Sequence, residues 1–193
     1  MKRKLILNLL ACALLAPALA CAHPQSATSG FLDGLSHPFL GLDHLLAMLM
    51  VGVFAVQLGG RAIWIVPATF VAATFVGGML GAAGIAIPLL EPLVAASVLL
   101  LGLMVMQPAR LDAYWAAGLA AIFALFHGIA HTAEAGADAN LISQFVGFMF
   151  ATASLHLLGI LAAWPLRHRL GMLRMVAAPI AIGGACLLIA RLG

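Results

Sequence analysis

Two short stretches of this chain carry most of its chemistry. The first is His37-Pro38-Phe39-Leu40-Gly41-Leu42-Asp43-His44, and the second is Phe126-His127-Gly128-Ile129-Ala130-His131-Thr132-Ala133-Glu134. Glu91 and His156 stand singly in apolar surroundings. On helices, His37 and His44 are seven apart and return to one face after two turns. Asp43 sits about 100° round from His44, where it lines the same cavity or holds a ligand imidazole. His127, His131 and Glu134 share one stripe at spacings of four and three. Pro38 suits the first turn of a helix, where its missing N–H costs nothing.

Imidazole and carboxylate together suit a borderline divalent transition ion: Ni²⁺, Co²⁺ or Zn²⁺. Calcium asks for more oxygens, and copper(I) for sulfur. An ion's charge would also offset the cost of ionised Asp43 and Glu134 in a dry setting. The competing reading of an isolated intramembrane histidine is a polar bond between helices. For His156 and Glu91 the two readings weigh equally, and both stay candidate ligands. His23 is a conditional candidate, since cleavage after Ala22 would leave its amine and imidazole free to chelate. Pro24 then excludes an ordinary backbone-amide site at the second residue. His168, between Arg167 and Arg169, reads as solvated, and Met48, Met50, Met104, Met106 and Met149 as apolar filler.

The elements that must position these groups follow from composition. Of 193 residues, 65% are hydrophobic and only 8% charged, and mean hydropathy is +1.17. A soluble domain carries about a quarter charged residues, so a soluble enzyme, a nucleic-acid binder and a disordered tail are excluded. Long continuous apolar runs, rather than alternating ones, give an all-α integral membrane protein. The pI near 9.1 reflects Lys2, Arg3 and Lys4; beyond them six arginines match six acids.

The basic start, the apolar stretch from Leu5 to Leu15 and the Ala20-Cys21-Ala22 site read as a cleavable signal peptide over 1–22. One domain, 23–193, follows. Cys12 and Cys21 leave with the signal, and Cys186 remains alone. Six membrane segments are predicted at 38–58, 62–82, 88–107, 113–133, 141–164 and 172–191, each near the ~20 residues a span requires. Arg61, Arg110, Arg167, Arg169 and Arg174 fall on the cytoplasmic side and Arg191 alone outside, which fits the positive-inside rule. His44 and His127 then lie at one depth, roughly 10 Å below the outer surface at 1.5 Å per residue. His156 lies 15 residues, or roughly 22 Å, below the outer start of its helix. Gly77, Gly78, Gly81 and Ala82 give small-residue spacing that reads as packing within the bundle, with a homo-oligomer interface as the alternative.

These motifs resemble the HupE/UreJ family of bacterial membrane proteins. The likeness rests on His37, Pro38, Gly41, Asp43 and His44 with Met48 following, and on Phe126, His127, Gly128, His131 and Glu134. The Leu155-His156-Leu157-Leu158-Gly159 element adds to it, while Thr132 stands where many members carry a small Gly. The likeness covers essentially the whole chain. It implies a permease that imports Ni²⁺, or Co²⁺, through the inner membrane, with a periplasmic mature N-terminus. It also implies service to hydrogenase or urease maturation. The motif residues it assigns are His37, Asp43, His44, His127, His131 and Glu134, with His156 beside them.

No nucleotide-binding loop is present, so secondary transport is expected, with no permanently bound cofactor and no enzymatic activity. The alternative is an intramembrane metal-dependent hydrolase, although neither H-E-x-x-H nor G-x-S-x-G occurs. A bis-histidine haem protein is a third reading, weakened by the neighbouring acids.

Overall fold

The computed structural model describes residues 30–107, 111–134 and 140–193. The signal segment, its cleavage site and His23 lie outside the described residues. The described chain is all-helical. Helix α1 spans Phe31–Leu40, α2 Leu42–Leu58, α3 Ala62–Ala82 and α4 Leu90–Met106. Helices α5 (Ala113–Glu134), α6 (Leu141–Ala163) and α7 (Leu170–Leu192) follow, with a 3₁₀ turn at Trp164–Leu166 after α6.

The six predicted segments all contain a helix, but two of them differ from plain spans. The first is not one helix beginning at Pro38. Residues before the proline are already helical, started by Gly30, whose N–H donates to Asp33 at 3.3 Å. Pro38 therefore stands near the end of α1, where its missing N–H removes a helical bond. The helix stops two residues later, and α2 leaves Gly41 at 85° to α1. The third segment is also shorter than predicted. Pro88 and the left-handed backbone of Leu89 (φ 58°) delay α4, which has 17 residues. Among the described residues, seven α-helices thus stand where six segments were expected. By length and apolarity α3, α5, α6 and α7 can each cross a membrane, and the bent α1–α2 pair counts as a fifth span when its halves are joined.

Glycines set the packing. An added Cβ at Gly52 would strike the His156 carbonyl, and one at Gly159 the Leu49 carbonyl, so α2 and α6 touch backbone to backbone. Gly77 meets the Leu125 carbonyl and Gly128 the Thr74 carbonyl, which locks α3 to α5 in the same way. Gly102 and Gly184 do this for α4 and α7, and Gly34 and Gly147 for α1 and α6. Gly77, Gly78 and Gly81 of α3 are therefore engaged within the chain, whereas Ala82 is exposed. Phe54, Phe70, Val51, Val66 and Leu101 fill the centre. Trp64, Phe75, Ile122, Phe150, Leu161 and Ile182 point outward, giving the apolar exterior that lipid requires.

Gly128→Val should force α3 and α5 apart, because its Cβ has only backbone to move. A cost of about 1–3 kcal/mol or more is expected for such overpacking. Thermal unfolding in detergent checks this, with Gly118→Ala, where nothing lies within 4 Å, as the comparison that leaves the midpoint nearly unchanged.

Candidate functional site

The site forms where the break at Gly41 meets the end of α5 and the start of α4. Asp43, in the first turn of α2, lies where the helix dipole favours an anion and where backbone N–H groups lack partners. Its Oδ1 accepts the His44 backbone N–H at 2.8 Å and the His44 Nδ1–H at 2.9 Å. That second bond orients the imidazole and places its proton on Nδ1, leaving Nε2 as the lone pair of the neutral ring. His44 Nε2 is buried without a hydrogen-bond partner.

His127 is fixed from the opposite side. Ser97 on α4 donates its hydroxyl to the Val94 carbonyl at 2.6 Å. Its oxygen, 2.9 Å from His127 Nε2, must then accept the imidazole N–H. Nδ1 of His127 becomes the lone-pair nitrogen, and it too is buried and unpartnered. His131, one turn on, stacks on Phe148 with centroids 3.9 Å apart and planes 10° from parallel. Its Nδ1 is also orphaned.

The rings form a chain. His131 lies 4.9 Å from His37, His37 5.6 Å from His44, and His44 4.8 Å from His127, between centroids. The shared level predicted for His44 and His127 is therefore observed. His37 reaches the group differently from expected. It does not share a continuous helical face with His44, because the 85° bend separates them. The bend folds His37 back over the start of α2, and it arrives from a second helix.

His156 is not in this chain of rings. Phe70 stands between, with its centroid 4.9 Å from His156 and 5.7 Å from His127. Both nitrogens of His156 are buried without partners. Glu134 closes α5 in backbone, and its side chain lies outside the described residues.

A cavity of about 240 Å³ opens beside the rings, lined by His37, Gly41, Asp43, His44, Glu91 and Arg191 among others. Arg191, in the last turn of α7, pairs with Glu91 and reaches Asp43 Oδ2 at 3.5 Å. Among the described residues, no three His, Cys, Asp or Glu side chains stand in a ready coordinating arrangement. Asp43 is occupied by His44 and Arg191, so ligation there requires rearrangement of that carboxylate's partners. Arg191 and Ser97 were missed from the sequence. The signal for Arg191 was its position as the one basic residue assigned to the outer side; Ser97 gave none beyond being polar in an apolar run.

A family model for HupE / UreJ protein matches residues 10–187 of this chain. The chain belongs to the HupE/UreJ family. It is 42% identical over 179 residues to Protein HupE of Rhizobium leguminosarum bv. viciae, covering 92% of this chain and 94% of that protein. No solved structure matches. In this HupE/UreJ chain the matched stretch contains every histidine of the ring cluster, Ser97 and Glu91, and ends before Arg191.

Ser97→Ala should leave the His127 Nε2–H without an acceptor. The ring is then expected to lose its fixed proton position, visible as a change in the ¹⁵N shifts of labelled His127. A loss of about 1–3 kcal/mol in stability accompanies an unsatisfied buried donor, and Ser97→Thr should restore both.

Proposed function

We propose that this chain is a secondary transporter, a permease that imports a divalent transition-metal ion across the bacterial inner membrane. Ni²⁺ is the first candidate and Co²⁺ the second, since imidazole and carboxylate serve both. One observation carries the reading. Orphaned imidazole nitrogens from α2 and α5, with His37 of α1 beside them, converge next to a carboxylate-lined cavity at one end of an apolar bundle. Buried polar atoms without partners are uncommon and ask for an explanation. Of these rings His44 and His37 line the cavity with Asp43 and Glu91, donors of the kind an entering cation would use.

In this reading His37, Asp43, His44, His127 and His131 form the outer site, with Glu134 completing it and Glu91 at its mouth. The mature N-terminus is periplasmic, and the ion enters from that side. His156, beyond Phe70, serves a deeper step. An inside-negative potential favours cation entry by ~2.3 kcal/mol per charge per 100 mV, and so about twice that for a divalent ion. The imported metal would supply hydrogenase or urease maturation, the setting that the family resemblance implies. The Ser97–His127 contact does not favour hydrolysis, because the serine proton is already committed to Val94 rather than to the imidazole.

Uptake of radioactive Ni²⁺ or Co²⁺ into ATP-free vesicles should saturate and should accelerate with an imposed inside-negative potential. Asp43→Asn removes the charge that holds His44 and should weaken metal binding by about 10–100-fold, as for other groups that orient a ligand imidazole. A strict requirement for ATP and a soluble partner would reject autonomous transport.

His156→Ala should instead slow uptake while leaving equilibrium binding near the wild-type level. Loss of binding equal to that of His127→Ala would require a single site that includes His156.

A further inference from the structure

We propose that the Arg191 guanidinium is a built-in competitor for the incoming cation, held between Glu91 and Asp43 at the cavity and displaced from Asp43 when a divalent ion enters. This rests on the transport reading above and adds an entry step to it.

Three helix ends meet at this point. Glu91 and Asp43 lie in the first turns of α4 and α2, where the helix dipole favours anions. Arg191 lies in the last turn of α7, where it favours cations. The Asp43 side chain is only 10% exposed, and a carboxylate that deep is costly without a counter-charge. Its two oxygens have separate duties. Oδ1 is taken up by His44, and Oδ2 faces Arg191. Oδ2 is therefore the oxygen an ion would approach, and a guanidinium already stands there.

Guanidinium and metal ion cannot share that oxygen. Arginine has five donors and no acceptor, and it keeps its charge. It offers a divalent ion no ligand and repels it. The two contacts of Arg191 are unequal: a direct pairing with Glu91, and a longer 3.5 Å reach to Asp43. Loss of the longer one leaves the side chain tethered to α4. The charges support an exchange. Asp43, Glu91 and Arg191 together carry −1, and a divalent ion in their midst leaves +1, so the arm is driven off the carboxylate the ion takes. A monovalent ion has no more charge to offer than the arginine it must replace. Arg191 lies in the last helical turn, beyond the 10–187 stretch that the family model matches.

The test uses the full-length protein in detergent, with Co²⁺ as the probe. Arg191→Gln removes the competitor, and equilibrium dialysis should show Co²⁺ bound about threefold to tenfold more tightly, the range for one half-exposed charged contact. Arg191→Lys should stay near wild type. A purely structural clamp predicts the reverse, weaker or unchanged binding in Arg191→Gln, and that result overturns the proposal. A second measurement needs no variant of Arg191. Phenylglyoxal modification, read at Arg191 by mass spectrometry, should accelerate when Co²⁺ saturates the wild-type protein. It should accelerate without metal in Asp43→Asn. Reactivity unmoved in both sinks the proposal while leaving transport intact. If the wild-type protein binds no Co²⁺ at all, the transport reading fails, and this inference falls with it.

Discussion

Backbone-to-backbone contact between helices is the constraint on which the rest of this structure depends. In lipid, apolar side chains gain little by leaving one hydrocarbon setting for another, so helices associate through close packing instead. Here that closeness is supplied by glycine on both partners. Gly52 lies on the carbonyl of His156 itself, so the contact between α2 and α6 also sets the height of that histidine. Gly77 and Gly128 do the same for α5, the helix that carries His127 and His131. The relative depth of the imidazoles is thus a property of main-chain register. A side chain added at these contacts would shift the rings without touching any of them.

The polar groups inside are arranged with economy. Asp43 caps an otherwise unpaired N–H of α2, orients His44 and meets Arg191, three tasks for two oxygens. Ser97 satisfies the Val94 carbonyl and fixes His127 with one hydroxyl. The nitrogens left over, His44 Nε2 and His127 Nδ1, belong to rings whose centroids are 4.8 Å apart. Each orienting partner fixes the ring proton on one nitrogen, so that a neutral ring offers its other nitrogen as the lone pair a metal ligand needs. Aromatic surfaces enclose the group: Phe148 lies under His131, and Phe70 separates His127 from His156.

The helical class, the extents of α3, α5, α6 and α7 to within a few residues, and the common level of His44 and His127 were legible in the sequence. Apolar run length and rise per residue are enough for these. The bend was not. Glycine inside a helical pattern costs only about 1 kcal/mol relative to alanine, so Gly41 gave no warning, and Pro38 suited a helix start as well as a helix end. His37 was accordingly placed near His44 for a reason that does not hold. The delay of α4 depends on Leu89, a non-glycine residue with positive φ, which no propensity anticipates. Counting arginines assigned Arg191 to a side of the membrane but could not say what it touches, because that depends on the meeting of α2, α4 and α7. Ser97 became visible only when α4 was laid against α5.

The shortness of α4 reaches beyond the protein. Seventeen residues rise roughly 25 Å, against a hydrocarbon layer of about 30 Å, and Leu100 and Leu103 on this helix are exposed. Were α4 to span, the lipid beside it would have to thin, or its headgroups dip, at a modest cost for each ångström of mismatch. The helix begins at the carboxylate that meets Arg191, so such thinning would bring water and headgroups toward the same corner. Acyl chain length in the surrounding bilayer would then act on this corner as a mechanical variable, altering how far an ion travels before it leaves water.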